Sequence, residues 1–304
     1  MVESPFRANA LNGKVALITG GSSGIGLEIT KQLGLHGCSV VITGRRKAVL
    51  DGAVAELQAL GITAAGLQGD VRSADACQDW VATTRKMFGS IDILVNCAAG
   101  NFLANAAELS QGGFKTVMEI DAVGTFTMSR AAFEALKQNN ESVIINISAT
   151  LHYGATWYQA HASAAKAAVD SLTRSLALEW GEYGIRVNGV APGPIRGTAG
   201  MSKLAPGEEA SMEQVVTSAV PLGRMGDKAD IALACVYLAS SAGRFVSGET
   251  LVVDGGAWLH RPQLVPRGMV SQVSRKVESS SRQVGTAQAG GSSSSSSATP
   301  RSKL

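Results

Sequence analysis

Cysteine is scarce and poorly placed for pairing. Cys38, Cys77, Cys97 and Cys235 are the only four in 304 residues, with no CxxC and no paired histidine spacing. This argues against a zinc site or a disulfide framework and makes a reducing compartment the default expectation. No apolar run approaches the 18 residues of a membrane span, and the N-terminus, with Glu3 and Pro5, lacks the apolar core of a secretory leader. Charge of one sign is also missing from the body. The net charge is +3, but residues 269–304 hold five basic side chains and one acid, so residues 1–268 sum to −1. A nucleic-acid partner is therefore not expected. A hydrophobic content of 45% with 35 glycines rules out disorder of the whole chain and fits one large globular domain.

Between Lys14 and Asp254 short β-branched runs alternate with longer amphipathic stretches, the pattern of βαβ units around a parallel sheet. Seven strands are predicted: 15–19, 39–43, 64–69, 92–96, 142–148, 185–191 and 250–254. Each is nearly all apolar, as expected where helices cover both sheet faces. Pro192 to Asp227 holds four prolines and reads as a long loop without a strand, suited to a lid or binding segment. The domain reading is an extension at 1–10, a catalytic domain at 11–260 and a flexible serine-rich tail at 261–304.

At the first strand-to-helix turn stands Thr19-Gly20-Gly21-Ser22-Ser23-Gly24-Ile25-Gly26. Glycines there let the backbone approach a pyrophosphate, whose charge meets the helix N-terminus. Asp70-Val71 follows the third strand, Asn96-Cys97-Ala98-Ala99-Gly100 the fourth, and Pro192-Gly193-Pro194-Ile195 the sixth. All four motifs fall at strand C-terminal ends, where a doubly wound sheet binds its ligand. Together they resemble the short-chain dehydrogenase/reductase family over about residues 11–258. The resemblance implies a Rossmann-type, doubly wound, seven-stranded parallel sheet in order 3-2-1-4-5-6-7 and a nicotinamide cofactor. Its contacts would be Gly20, Gly21, Ser22, Ser23, Gly24, Ile25, Asp70, Val71, Asn96, Lys166, Pro192, Gly193, Ile195 and Thr198. The second strand ends at Arg45-Arg46-Lys47 instead of the carboxylate that bonds a ribose 2′-hydroxyl, so a 2′-phosphate held by Arg45, and hence NADPH, is expected.

The family's usual proton donor is a tyrosine four residues before a lysine on one helix face, and here Ala162 precedes Lys166. By motif spacing, the family's serine aligns with Ala149 and its asparagine with Asp121. Without the phenol, reduction of a simple ketone is not expected. AAGNFL (98–103), MEIDAVGTF (118–126), HASAAKAAVDS (161–171) and DGGAWL (254–259) resemble the branch of the family that reduces 2,4-dienoyl-CoA thioesters. That resemblance implies a site built on Asp121 and Lys166, with Asp170 one helical turn beyond the lysine; the cysteine and histidine spacing gives no metal site to expect. Matching positions suggest Arg72, Phe102, Ser110 and Lys203 as coenzyme A contacts. A 3-ketoacyl-CoA or 2-enoyl-CoA reductase, or a silent NADPH binder, stays open as an alternative. Tyr153, Tyr158 and His161 are candidate replacement acids, though packing suits them as well. The chain ends Ser302-Lys303-Leu304, a receptor-read peroxisomal address, so an import receptor and a peroxisomal location are expected. The family further implies a homotetramer.

Overall fold

The computed structural model describes residues 4–139, 141–198 and 209–290. Seven parallel strands form one sheet in the order β3-β2-β1-β4-β5-β6-β7. They are β1 Val15–Thr19, β2 Ser39–Gly44, β3 Ala64–Gln68, β4 Ile93–Asn96, β5 Ser142–Ile147, β6 Ile185–Pro192 and β7 Thr250–Val253. Each lies within a residue of its predicted bounds. Among the described residues the sheet is accompanied by the helices α1 Gly24–Leu35, α2 Lys47–Ala59, α3 Ala74–Phe88, α4 Gln111–Met118, α5 Gly124–Lys137, α6 Ala160–Trp180, α7 Glu209–Ser218 and α8 Lys228–Ala239.

The continuous apolar runs are explained by two cores, one on each face of the sheet. Ala16, Ile18, Val40, Ile42, Ile93 and Val95 pack with Ile29 and Leu33 of α1, Leu57 of α2 and Ile231 of α8. The alternate strand residues Leu17, Val41, Leu94 and Ile144 pack with Trp80 of α3, Met128 of α5 and Leu176 of α6. Side chains along a strand point alternately to opposite faces, so a strand covered on both must be apolar throughout.

Three expectations need correction. Residues 4–10 of the extension expected at 1–10 belong to the same compact unit as the domain: Phe6 packs on the core, and Ser4 Oγ lies 2.8 Å from His36 Nε2. The long segment after β6 contains α7, and an isolated parallel bridge joins Ile195 to Gly226. The tail, a separate unit from Arg261, is helical over Val270–Gly290, here α9. Two of the serines in this helix bond locally: the hydroxyls of Ser279 and Ser280 both donate to the Lys276 carbonyl at 2.9 Å. An Arg282–Glu278 pair at 2.5 Å adds one i,i+4 contact.

Candidate active site

The C-terminal ends of β1, β2, β4, β5 and β6 open into one cleft of about 610 Å³. Its first wall is backbone. Gly20 has φ +66°, and a Cβ there would stand 3.0 Å from the Ala98 Cα; a Cβ on Gly26 would fall on the Gly20 carbonyl oxygen. Only glycine allows the turn after β1 and the loop after β4 to approach so closely. Thr19 Oγ1 fixes that approach by accepting from the Cys97 and Ala98 amides, both at 3.1 Å. Ser23 at the N-cap of α1 makes no side-chain capping bond, and the first turn holds no acid. The uncapped amides and the helix dipole therefore face the cleft as an anion site, which fits a cofactor pyrophosphate. Arg45 and Arg46 line the cleft at the end of β2 with no carboxylate beside them on that strand end.

The opposite wall is built from side chains. Between α4 and α5 the helix widens into a π turn, Glu119–Val123, which carries Asp121. Such single π turns recur at functional sites because the extra residue re-aims one side chain. Asp121 is 1% exposed; its Oδ1 accepts from the Gly100 amide at 2.7 Å and its Oδ2 pairs with Lys166 Nζ at 3.0 Å. Lys166 also donates to the Ile147 carbonyl at 2.9 Å. One ion pair thus joins the loop after β4, the π turn, the tip of β5 and α6, and both partners line the cleft. A buried carboxylate and ammonium at this distance compensate each other's desolvation. Ala162 lies on the cleft one turn before Lys166, so no phenol stands there. Cys97, also on the cleft, has its thiol pushed up to about 11 by burial and stays protonated.

Of the predicted cofactor residues, Gly20, Ser22, Ser23, Gly24, Ile25, Arg45, Asp70, Val71, Lys166, Pro192, Gly193, Ile195 and Thr198 line the cleft. Gly21 and Asn96 do not. A Cβ on Gly21 would meet Ile42 at 2.5 Å, so this glycine serves packing of the turn on β2. Asn96 is buried beneath the cleft, where its amide donates to Ser129 Oγ at 3.0 Å and to Asn146 Oδ1 at 2.8 Å; Asn146 in turn donates to Thr173. That chain ties β4, β5, α5 and α6 together below the site.

Asp170 is also set apart. Its partner is His152 Nε2 at 2.9 Å, not Lys166, and it does not line the cleft. Arg72 lies outside the cleft in a fork with Asp70, with Nη2 2.7 Å from Oδ2, which holds the Asp70 carboxyl below the usual range. Phe102 lies against the His161 ring at 4.3 Å, and Ser110 caps α4 by accepting from the Gly113 amide at 3.1 Å. Lys203 lies outside the described residues.

None of the three candidate acids lines the cleft. Tyr158 precedes α6 with φ +61° and is 55% exposed, and Tyr153 packs on His152 and Trp258. His161 is fully buried, and burial lowers its pKa, so the ring is neutral. Sequence reasoning passed over two cleft residues, Asn101 and Gln159, joined by a 2.6 Å bond from Nδ2 to Oε1. Asn101 lies inside the AAGNFL phrase, which was the available signal.

A doubly wound sheet with a glycine-rich anion site and a buried lysine at its strand tips defines a nicotinamide-dependent oxidoreductase. A family profile described as enoyl-(acyl carrier protein) reductase matches residues 20–257. The chain belongs to the short-chain dehydrogenase/reductase family. It is 56% identical, over 92% of its length and 96% of the relative's, to a peroxisomal 2,4-dienoyl-CoA reductase, (3E)-enoyl-CoA-producing, of Arabidopsis thaliana. Identity to the rat protein of the same description is 46%, covering 86% of this chain and 89% of the other. Among solved structures, a short chain dehydrogenase from Bacillus anthracis is similar with a TM-score of 0.74 and 39% identity, covering 83% of this chain and 99% of that one.

Proposed function

We propose that the protein reduces 2,4-dienoyl-CoA to 3-enoyl-CoA with NADPH, as the names of its relatives describe for them. The observation that carries this reading is the buried Asp121–Lys166 pair at 3.0 Å on a cleft that offers Ala162 where a ketone reductase needs a phenol. A ketone reductase must protonate an alkoxide at the reacting carbonyl. A conjugate reductase places its charge on a thioester oxygen remote from the carbon attacked, and needs an oriented cation more than an acid.

The nicotinamide, when bound, supplies a hydride, which this reading delivers to C5 of the dienoyl chain. Lys166 spends one N–H on Ile147 and one on Asp121, and its third serves the cofactor ribose and the field around the thioester oxygen. Asp121 holds the ammonium in place and with it the Gly100 backbone. As the C5–H bond forms, electrons move to the thioester oxygen as a dienolate. A water then gives its proton to C2, leaving the double bond between C3 and C4. Arg45 takes the 2′-phosphate, which selects NADPH. Phe102, Ser110, Arg72 and Lys203 remain proposed coenzyme A contacts. Residues 11–260 form the catalytic domain, and the peroxisomal location named for the relatives carries over to this chain, which assembles as a homotetramer.

The test follows NADPH consumption with 2,4-dienoyl-CoA, 2-enoyl-CoA and 3-ketoacyl-CoA in parallel and locates the product double bond. Turnover of the dienoyl substrate to a 3-enoyl product is expected. Turnover of the ketoacyl substrate alone contradicts the role given to Ala162, and no oxidation with any of the three leaves a silent NADPH binder.

A further inference from the structure

From Ser148 to Gln159 the chain runs without helix or strand, yet Ser148, Ala149, Thr150, Leu151 and Gln159 line the cleft. A wall made of loop holds its shape only if something outside it supplies the anchors. Ser148 N donates to the Val190 carbonyl at 2.8 Å at one end, and Asn101 holds Gln159 at the other. Between them stands His152, whose Nε2 lies 2.9 Å from Asp170 Oδ2 on the third turn of α6. The Asp170 side chain is 3% exposed and that of His152 is 20% exposed. A carboxylate so buried needs a polar partner, and the His152 ring nitrogen supplies one at 2.9 Å. The next residue extends the anchor. The Tyr153 ring meets His152 edge-on at 4.8 Å and Trp258 edge-on at 5.5 Å, and the Trp258 amide donates to Asp254 Oδ2 at 2.8 Å. Asp254 packs directly beneath Gly193, where a Cβ would stand 2.5 Å from its own. Burial, and then the nearby Asp170 carboxylate, push the Tyr153 phenol up to about 12, so it stays neutral beside the pair.

We infer that Asp170 is a positioning residue acting through His152, and that this buried pair fixes the Ala149–Leu151 wall against which the acyl thioester lies. The substrate part rests on the dienoyl-CoA reading above; the anchoring part does not. The two side-chain pairs of α6 divide the work: Lys166–Asp121 meets the reacting groups, while Asp170–His152 holds the wall that presents them.

The experiment pairs hydrogen exchange with steady-state kinetics on the full chain with NADPH bound, comparing wild type, His152→Ala, His152→Gln and Asp170→Asn. Removing the imidazole is expected to speed amide exchange in 149–157 and to raise KM for the dienoyl thioester about tenfold, with kcat and NADPH affinity nearly unchanged. His152→Gln, whose amide still donates to Asp170, should restore most of both, and Asp170→Asn should fall between. Unchanged exchange in 149–157 of His152→Ala overturns the inference. So does exchange that rises equally in β1 and β4, or a loss that falls on kcat alone. If wild-type protein does not turn over the dienoyl thioester, the functional reading fails, and the exchange data alone still decide whether the pair anchors the wall.

Discussion

The two walls of the cleft are made by different means. On the side of β1, β2 and β4, recognition is written in the main chain: Gly20 and Gly26 permit close approach, Thr19 binds two amides, and the uncapped start of α1 presents its N–H groups. On the side of β5 and α6, the main chain is irregular and the work falls to side-chain pairs, Lys166–Asp121 and Asp170–His152. A backbone site tolerates little change in residue type but serves any ligand with the same phosphates. A side-chain site is re-specified by few substitutions, which is how a fold shared with alcohol and ketone chemistry is turned to a conjugated thioester with Ala162 in place of a phenol.

The comparison is broken most severely at Lys166. Lys166→Met should lower turnover about a thousandfold by removing the cation that faces both cofactor and thioester, measured as kcat by NADPH oxidation. An effect below tenfold would place the chemistry elsewhere. On the other wall, Gly26→Val should act through structure. Its side chain would fall on the Gly20 carbonyl, costing about 1–3 kcal/mol and lowering Tm by several degrees, with NADPH binding lost in parallel by calorimetry. Arg45→Ala should weaken NADPH about tenfold and leave NADH affinity unchanged, read as the ratio of the two Kd values.

How much of this was legible follows the same division. The strands and the glycine turn were readable because the backbone demands particular residues: apolar side chains where both sheet faces are covered, glycine where a Cβ would collide. Asp121 and Lys166 were found through a family phrase, but the π turn that aims Asp121 was not, since nothing in Glu119–Val123 departs from ordinary helical composition. The i,i+4 spacing suggests Asp170 as a group that orients Lys166 or a water, whereas its partner in the structure comes from a loop eighteen residues earlier, beyond any periodicity argument. The side chain of Asn96 is not placed by the motif alone, because a strand-end residue can point under the sheet as easily as over it, and its hydrogen bonds to Ser129 and Asn146 take it under.

The smallest effect concerns the start of α6, where Phe102 lies against the His161 ring. Burial lowers the folded-state pKa of His161, so below about pH 6.5 the unfolded chain takes up a proton that the folded ring refuses. This contribution to stability is present above that pH and is lost as pH falls toward the folded-state value. His161→Phe should flatten the decline of Tm between about pH 6.5 and pH 5 relative to wild type, measured by thermal denaturation across that range. An identical slope would mean that the ring is not held neutral.

The most direct test of the central claim is the turnover of Asp121→Asn with 2,4-dienoyl-CoA, measured beside its NADPH Kd. If the buried Asp121–Lys166 pair replaces the missing phenol, kcat falls about a hundredfold while the Kd for NADPH stays within about threefold of wild type. Unchanged turnover with the same Kd would contradict the account, because the carboxylate in the side-chain wall of the cleft would then have no part in the chemistry.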